Sequence, residues 1–485
     1  MAIKRYYATK DNTITNAYKA NLQTRGVSGN MGQSDILEIF SIYAQATTSS
    51  SELSRVLIEF DVDAINADRT AGTIPESGSV NFFLKMYDAE HTQTTPKDYT
   101  LIVSAISQSW DEGLGLDMEE YSDLDASNWI SASQGTAWTS QGGDYITGSD
   151  GAPTEYLFSQ SFDTGFEDLE VDVSHLVEDW LAATLNNYGF GVRLTGSDET
   201  ETDSYYTKMF FARGSQFFHK RPVIEARWDS SKKDNRGDFY LSSSLVPASD
   251  NLMNLYLYNV VRGQLTNIPA VNRNNILVSI YSGTTGPTGD KLELPVGGGV
   301  VTDGDVNITG SWDEVGIYSC SFAYTSSNIT TIFDVWHSGG IEYHTGSGIS
   351  VETFSNENYN FDQTYVSKIT NMRDTYNRGE KVRFRLYTRQ KDWSPTIYTV
   401  ASSDIETSII DNTYYRFTRV SDNLEVIPFG TGSLNHTRLS YDTSGSYFDL
   451  EMDLFDTDTV YELSFAYLIN GSYVEQPERF RFRVE

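Results

Sequence analysis

Apolar and polar residues alternate with period two along most of this chain, the signature of strands that bury one face. The clearest case is residues 54–65, S-R-V-L-I-E-F-D-V-D-A-I, where Val56, Ile58, Phe60 and Val62 share one face and Glu59 and Asp61 the other. Further strands are predicted at 11–14, 36–43, 81–87, 99–106, 187–194, 208–212 and 222–228. In the third of these Phe82, Leu84 and Met86 oppose Phe83, Lys85 and Tyr87. Helical period occurs once: Val173, Leu176, Val177, Trp180 and Leu181 predict one short amphipathic helix, with Asp172 or Ser174 placed to cap it. Residues 110–145 break the alternation with S-W-D-E-G, a run of acids, and Trp129 and Trp138 among Ser and Gly. A long irregular segment in a compact domain is either a functional loop or one whose elements the pattern fails to show.

The polar stretch 230–238, S-S-K-K-D-N-R-G-D, has no periodicity and reads as a linker. Its Arg236-Gly237-Asp238 tripeptide is the kind that arises by chance. Strands resume at 254–260 and 276–281, with a glycine-rich hairpin region at 283–299. The segment W-D-E-V-G-I-Y-S-C-S-F resembles the tyrosine-corner strand of immunoglobulin-like sandwiches through Gly316, Tyr318 and Cys320. The partner cysteine of that family is missing, and Cys320 then serves as a small buried apolar residue. In the last segment Val382, Phe384 and Leu386 alternate with Lys381, Arg383 and Arg385. Phe448, Leu450, Met452 and Leu454 alternate with acids, and Phe480, Phe482 and Val484 with Arg479, Arg481 and Arg483. Cross-strand ion pairs within one sheet are the expected use of these charges.

Composition narrows the chemistry. A chain of 485 residues suggests two to four domains, and 31 Tyr with 25 Phe suit short strands joined by polar turns. The formal charge of -32 is spread along the chain, with no basic stripe for phosphates, so no nucleic-acid partner is expected. One cysteine permits no intrachain disulfide. The start M-A-I-K-R-Y-Y-A-T-K has no apolar signal region and no run spans a bilayer, so synthesis in a cytoplasm without membrane insertion is expected. No G-x-S-x-G elbow, zinc-type histidine spacing or phosphate loop is present. No catalytic residue, metal site or cofactor is therefore assigned, and no enzymatic activity is expected. His337 and His344 flank a glycine hairpin and read as turn packing. The acids Asp111, Glu112, Asp117, Glu119, Glu120, Asp123 and Asp125, and likewise Asp198, Glu199, Glu201 and Asp203, read as solvated faces, since they lack the D-x-D-x-D-G calcium loop. Trp129, Trp138 and Tyr145 are the candidate glycan-binding residues, because ring faces stack on sugars. Core or interface packing is the favoured use of the same rings, since tryptophans bury large area and anchor protein contacts.

In order, K-D-N-T-I, S-R-V-L-I-E-F-D-V-D-A-I, G-S-V-N-F-F-L-K-M-Y, S-W-D-E-G, V-D-V-S-H-L-V-E-D-W, N-Y-G-F-G-V-R-L and R-P-V-I-E-A-R-W resemble the DNRLRE family of β-sandwich domains. The versions with D-I-L-E-I-F-S-I-Y and D-A-E-H-T-Q-T-T-P look most like structural proteins of tailed bacteriophages of marine bacteria. The resemblance spans 1–229 and implies a jelly-roll-like sandwich with one short helix there; past the linker at 230–238, the tyrosine-corner likeness and the strand alternation predict immunoglobulin-like sandwiches at 239–355 and 356–485, so an all-β chain is expected. The resemblance further implies a non-enzymatic virion component of neck, tail or capsid, present in multiple copies and bound to other virion proteins. The alternative is an adhesin contacting host-surface glycan.

Overall fold

The computed structural model describes residues 2–118, 122–146, 156–242, 245, 247, 250–289, 291–292, 308–324, 329–352, 364–393 and 407–485. The chain is all-β and divides into two compact units, Ala2–Asp229 and Ser230–Glu485. The first contains β1 (Ile3–Thr15), β2 (Ile36–Tyr43), β3 (Ser51–Phe60), β4 (Asn81–Met86), β5 (Tyr99–Ala105), β6 (Ser131–Ser133), β7 (Thr136–Ala137), β8 (Leu157–Phe162), β9 (Leu169–Asp172), β10 (Phe190–Leu194), β11 (Tyr205–Phe211) and β12 (Val223–Arg227). Helices α1 (Val62–Ala71) and α2 (Ser174–Leu181) complete it. Strands pair in the order β8-β5-β10-β3-β1-β12-β4-β9, with β2 joined to β3 and β11 to β2.

β1 forms the corner of this sandwich. Residues 3–7 pair with β12, whereas Ala8 onward pairs with β3, after a register shift between Ala8 and Lys10. A bulge bends a strand, so one strand serves both layers. Val56, Ile58, Phe60, Phe82, Leu84 and Met86 are buried in the common core, each burial stabilising by about 1.5–3 kcal/mol.

The alternation at 54–65 predicts a strand through Ile65, but β3 ends at Phe60 and a second helix follows. The Asp61 carboxylate accepts from Asp63 N–H and starts α1, which ends at Gly72 in the left-handed conformation. Val62 and Ile65 fit a helical face as well as a sheet edge, and the cap decides between them. At α2 the N-cap is Val173, without a side-chain cap; Asp172 instead accepts from the Ser174 amide, and Ser174 Oγ from the Phe82 amide.

The other face of β1, β12 and β4 carries buried charge. Glu225 accepts from Arg5 Nε at 2.6 Å and pairs with Arg227 Nη2 at 2.6 Å, with Lys85 3.9 Å away. Burial alone would raise the Glu225 carboxyl; Lys85, Arg5 and Arg227 reverse this and hold it well below the usual carboxylate range.

Ser230–Glu485 holds two immunoglobulin-like sandwiches. In the first, Phe239–Tyr240, Ile349–Glu352, Thr331–Ser338, Ile276–Ser282, Ile308–Glu314, Ile317–Phe322 and Met253–Tyr258 pair in that order. Trp336, Tyr318 and Phe322 fill its core beside Cys320, whose thiol burial pushes up. Residues 290 and 293–299 of the predicted glycine hairpin lie outside the described residues. In the second, Tyr365–Ile369, Lys381–Gln390, Gly445–Glu451 and Ser440–Asp442 form one sheet. Phe480–Val484 lies in a different sheet, between Thr375–Tyr376 and Thr459–Ile469. The three charged strands therefore belong to two sheets, not one, and Phe384 meets Phe482 across the core at 6.2 Å between ring centroids. The middle strand stops at Glu451, because Met452–Leu454 turns into a 3₁₀ helix. Cross-strand ion pairs do form: Arg383 with Asp449, Arg385 with Asp442, Arg481 with Glu462 and Arg483 with Asp458.

Tyrosine hydroxyls lock both sandwiches. Tyr318 accepts from Ile268 N–H at 3.0 Å and donates to Asn272 O at 2.8 Å, anchors 50 and 46 residues upstream. The short-range corner belongs to Tyr461, which accepts from Asp456 N–H at 2.7 Å, five residues upstream. The run D-T-D-T-V-Y at 456–461 carries that signal.

Residues 230–238 are not a free tether. Lys232 exchanges hydrogen bonds with Ser440 and Tyr441, and Asn235 donates to the Tyr441 hydroxyl at 3.0 Å. Arg236 forms a bidentate pair with fully buried Asp334, at 2.7 Å on both oxygens, so the Arg-Gly-Asp tripeptide is part of the fold. Replacing Glu225 by Ala removes the buried carboxylate shared by Arg5, Lys85 and Arg227 and leaves Lys85 and Arg227 to share Glu170; a cost of about 3–5 kcal/mol is expected, measured by chemical denaturation.

Candidate functional site

Among the described residues between Ser107 and Ile146 the strands are those of the short β6–β7 ladder alone, yet the segment is firmly built. It closes a second core on the far side of β3 from the first. Ile14, Leu57, Ile106, Trp110, Trp129 and Trp138 meet there. Leu57 points into it while its neighbours Val56 and Ile58 point the other way, as strand geometry requires. Two of the three indoles also find a carbonyl: Trp110 Nε1 donates to Tyr188 O at 2.9 Å and Trp138 Nε1 to Asn128 O at 2.8 Å.

Polar residues of β1 and β3 pin the loop down. Asn12, fully buried, donates to Ser127 O and Oγ at 3.0 and 2.8 Å and accepts from Met31 N–H at 2.8 Å. Asn30 accepts from Gly115 N–H at 2.8 Å, and Asp123 accepts from Leu114 N–H at 3.0 Å. Arg55 holds Glu199 in a bidentate pair at 2.9 and 2.6 Å, donates to Gly142 O at 3.0 Å, and lies 5.2 and 5.7 Å from the Trp129 and Tyr145 ring centroids. Tyr145 packs against Gly191, where an added Cβ would stand 2.0 Å from the nearest ring atom. Asp11 caps the assembly: its carboxylate accepts from Arg213 N–H, while Glu112 accepts from Asp11 N–H at 2.9 Å and holds the Arg213 guanidinium at 2.9 and 2.6 Å.

The geometry places each of the sequence-assigned residues. Trp129 and Trp138 are each 5 % exposed and Tyr145 is half-buried under Arg55 and Arg193. Their ring faces are covered by the chain's own cations and apolar groups, so the three form no open sugar platform. Glu199 and Glu112 leave the solvated-acid class, because each is paired with an arginine. Glu119 and Glu120 lie outside the described residues. Among the described residues no group of three or more His, Cys, Asp or Glu is arranged to hold a metal ion. His337 and His344 sit on adjacent strands, with His337 Nε2 2.8 Å from Ser279 Oγ.

The sequence reading did not single out the loop's outward face. Leu114, Leu116 and Leu124 are 68 %, 65 % and 69 % exposed, on the two stretches that Asn30 and Asp123 tie together. Exposed Asp111, Asp117 and Asp125 surround them. The signal was present as E-G-L-G-L-D-M-E-E, apolar residues spaced by two in an acidic run without strand context.

No family model matches the sequence, and no curated protein does. Among solved structures, a chimeric titin Z1Z2-Z1Z2 tandem functionalised with a fibronectin GRGDS peptide is 10% identical, with a TM-score of 0.16, covering 51% of this chain and 93% of that one. The chicken CNTN1 FN1-FN3 domains are 8% identical, with a TM-score of 0.15, covering 62% and 82%. A trypsin-activated alpha-2-macroglobulin from Escherichia coli is 10% identical, with a TM-score of 0.16, covering 99% and 29%. The strand pairings above, rather than these superpositions, define the fold.

Two outcomes follow from the second core. Arg55→Met leaves the buried Glu199 carboxylate unpaired and uncovers Trp129; a loss of about 3 kcal/mol is expected by denaturation, with a red shift in tryptophan emission. Burial pushes the Asp11 carboxyl up to about 7, aided by Glu112 and opposed by the Arg213 amide and guanidinium. The folded state thus holds this proton more tightly than the unfolded chain, whose carboxyl has the ordinary value near 3.8. Its stabilising contribution is complete below that value and is lost as pH rises toward 7. Wild type is expected to lose up to about 1.4 kcal/mol per pH unit across the window relative to Asp11→Asn, measured by paired denaturation at the two ends.

Proposed function

We propose that this chain is a non-enzymatic structural protein of a tailed bacteriophage particle, an accessory of neck, tail or capsid that acts through protein–protein contacts. One observation carries the reading: the long loop is fixed by a core of its own, with its aromatic rings turned inward and its leucines turned outward. A rigid apolar projection in acidic surroundings suits a protein contact, since preorganisation lowers the ordering cost of binding and contiguous exposed apolar groups mark interaction sites. The DNRLRE-like motif order supports the same reading from another side. Asp11 and Asn12 of K-D-N-T-I, and Arg55 of S-R-V-L-I-E-F-D-V-D-A-I, are the residues that hold the loop. A sugar-binding role through Trp129, Trp138 and Tyr145 gains nothing from the covered rings.

The test is mass spectrometry of purified particles from the source culture. Recovery of the chain at fixed stoichiometry with the other virion proteins is the expected result. Its absence from particles, with the protein instead bound to cell-surface glycan, overturns the proposal.

A further inference from the structure

The acidic leucine loop has a chemical counterpart on the same chain. Within Ser230–Glu485 a cleft of about 570 Å³ is lined on one side by Val260, Leu265 and Ile317, and on the other by Lys381, Arg383 and Arg438. Tyr447 and Phe448 contribute aromatic surface between them. The apolar wall continues outward: Val260, Val261 and Leu265 of the hairpin Val260–Val261/Gln264–Leu265 are 55 %, 49 % and 43 % exposed, and Val315 nearby is 45 % exposed. Gly316, next to Val315, packs against Leu265 and Asn259, which makes the patch continuous.

The basic wall is unusual in a chain of net charge -32. Four cations, Lys232, Lys381, Arg383 and Arg438, line the cleft against two carboxylates, Glu314 and Asp449. Arg383 is held by Asp449 and Lys232 by Glu314, whereas Lys381 is exposed. Such a surface selects a partner that is both apolar and acidic, and disfavours the basic or purely polar surfaces of other proteins.

We infer that the loop carrying Leu114, Leu116 and Leu124 docks into this cleft on a second copy of the chain. The leucines meet the Val260–Leu265 wall, and Asp111, Asp117 and Asp125 face Lys381 and its cationic neighbours. The two surfaces differ, so the contact is heterologous: copies join loop to cleft and either close into a ring or continue as a filament. The inference rests on the structural-protein reading above and gives its repeated copies a specific joint.

The test is light scattering of the full-length protein across a wide concentration range. Mass is expected to rise with concentration. Leu114→Asp with Leu116→Asp in the loop, and separately Val260→Asp with Leu265→Asp in the cleft, are each expected to weaken association about tenfold or more. Lys381→Glu is expected to weaken it as well, and adding Asp117→Lys in the same chain to restore it. All these side chains are exposed, so unchanged melting temperatures identify variants that fold normally. A monomer at every concentration, or association indifferent to both sets of substitutions, overturns the inference. That result leaves the particle assignment standing if the chain is recovered in particles, whereas absence from particles defeats that assignment first.

Discussion

The N-terminal unit depends on one constraint: β3 is buried on both faces. Val56, Ile58 and Phe60 belong to the core of the sandwich, while Leu57, with Arg55 beside it, belongs to the core beneath the tryptophan loop. A strand in that position cannot slip by one residue without exchanging the two sets of side chains. The loop is therefore in register with the sheet. Its indoles, the Asn12 side chain and the Arg55 guanidinium all take their positions from strands that the main core has already fixed.

Buried charge follows the same logic of local completion. Glu225 has three cations around it, and the Lys208 ammonium, enclosed near Phe162 and Phe210, donates to Asp88, Gly165 O and Glu167 O. Desolvation would neutralise either group if it stood alone. At both sites the buried charge is completed by neighbours from the same unit.

Period-two alternation made most strands legible, because a half-buried strand has to alternate whatever its neighbours are. Two kinds of feature stayed hidden. Helix α1 begins on a single side-chain hydrogen bond, from Asp63 N–H to Asp61, inside a run whose apolar residues fit either period. The partners Arg55–Glu199, Asn12–Ser127 and Arg236–Asp334 join residues 144, 115 and 98 positions apart. No local pattern encodes such pairings, so Glu199 reads as a surface acid and Arg236 as part of a linker until the fold brings the partner close. The tryptophans were legible as a feature of the loop, and core or interface packing was their favoured use; that they enter a core of their own beneath β3 was not legible.

Amide hydrogen exchange across residues 107–146 measures most directly whether this loop is a folded element. Trp129, Trp138 and Gly142 amides are bonded to Val27, Ile130 and Trp129 carbonyls, so protection approaching that of β3 is the expected result. Exchange of those three amides at the rate of an open chain would contradict the second core, and with it the fixed outward leucines.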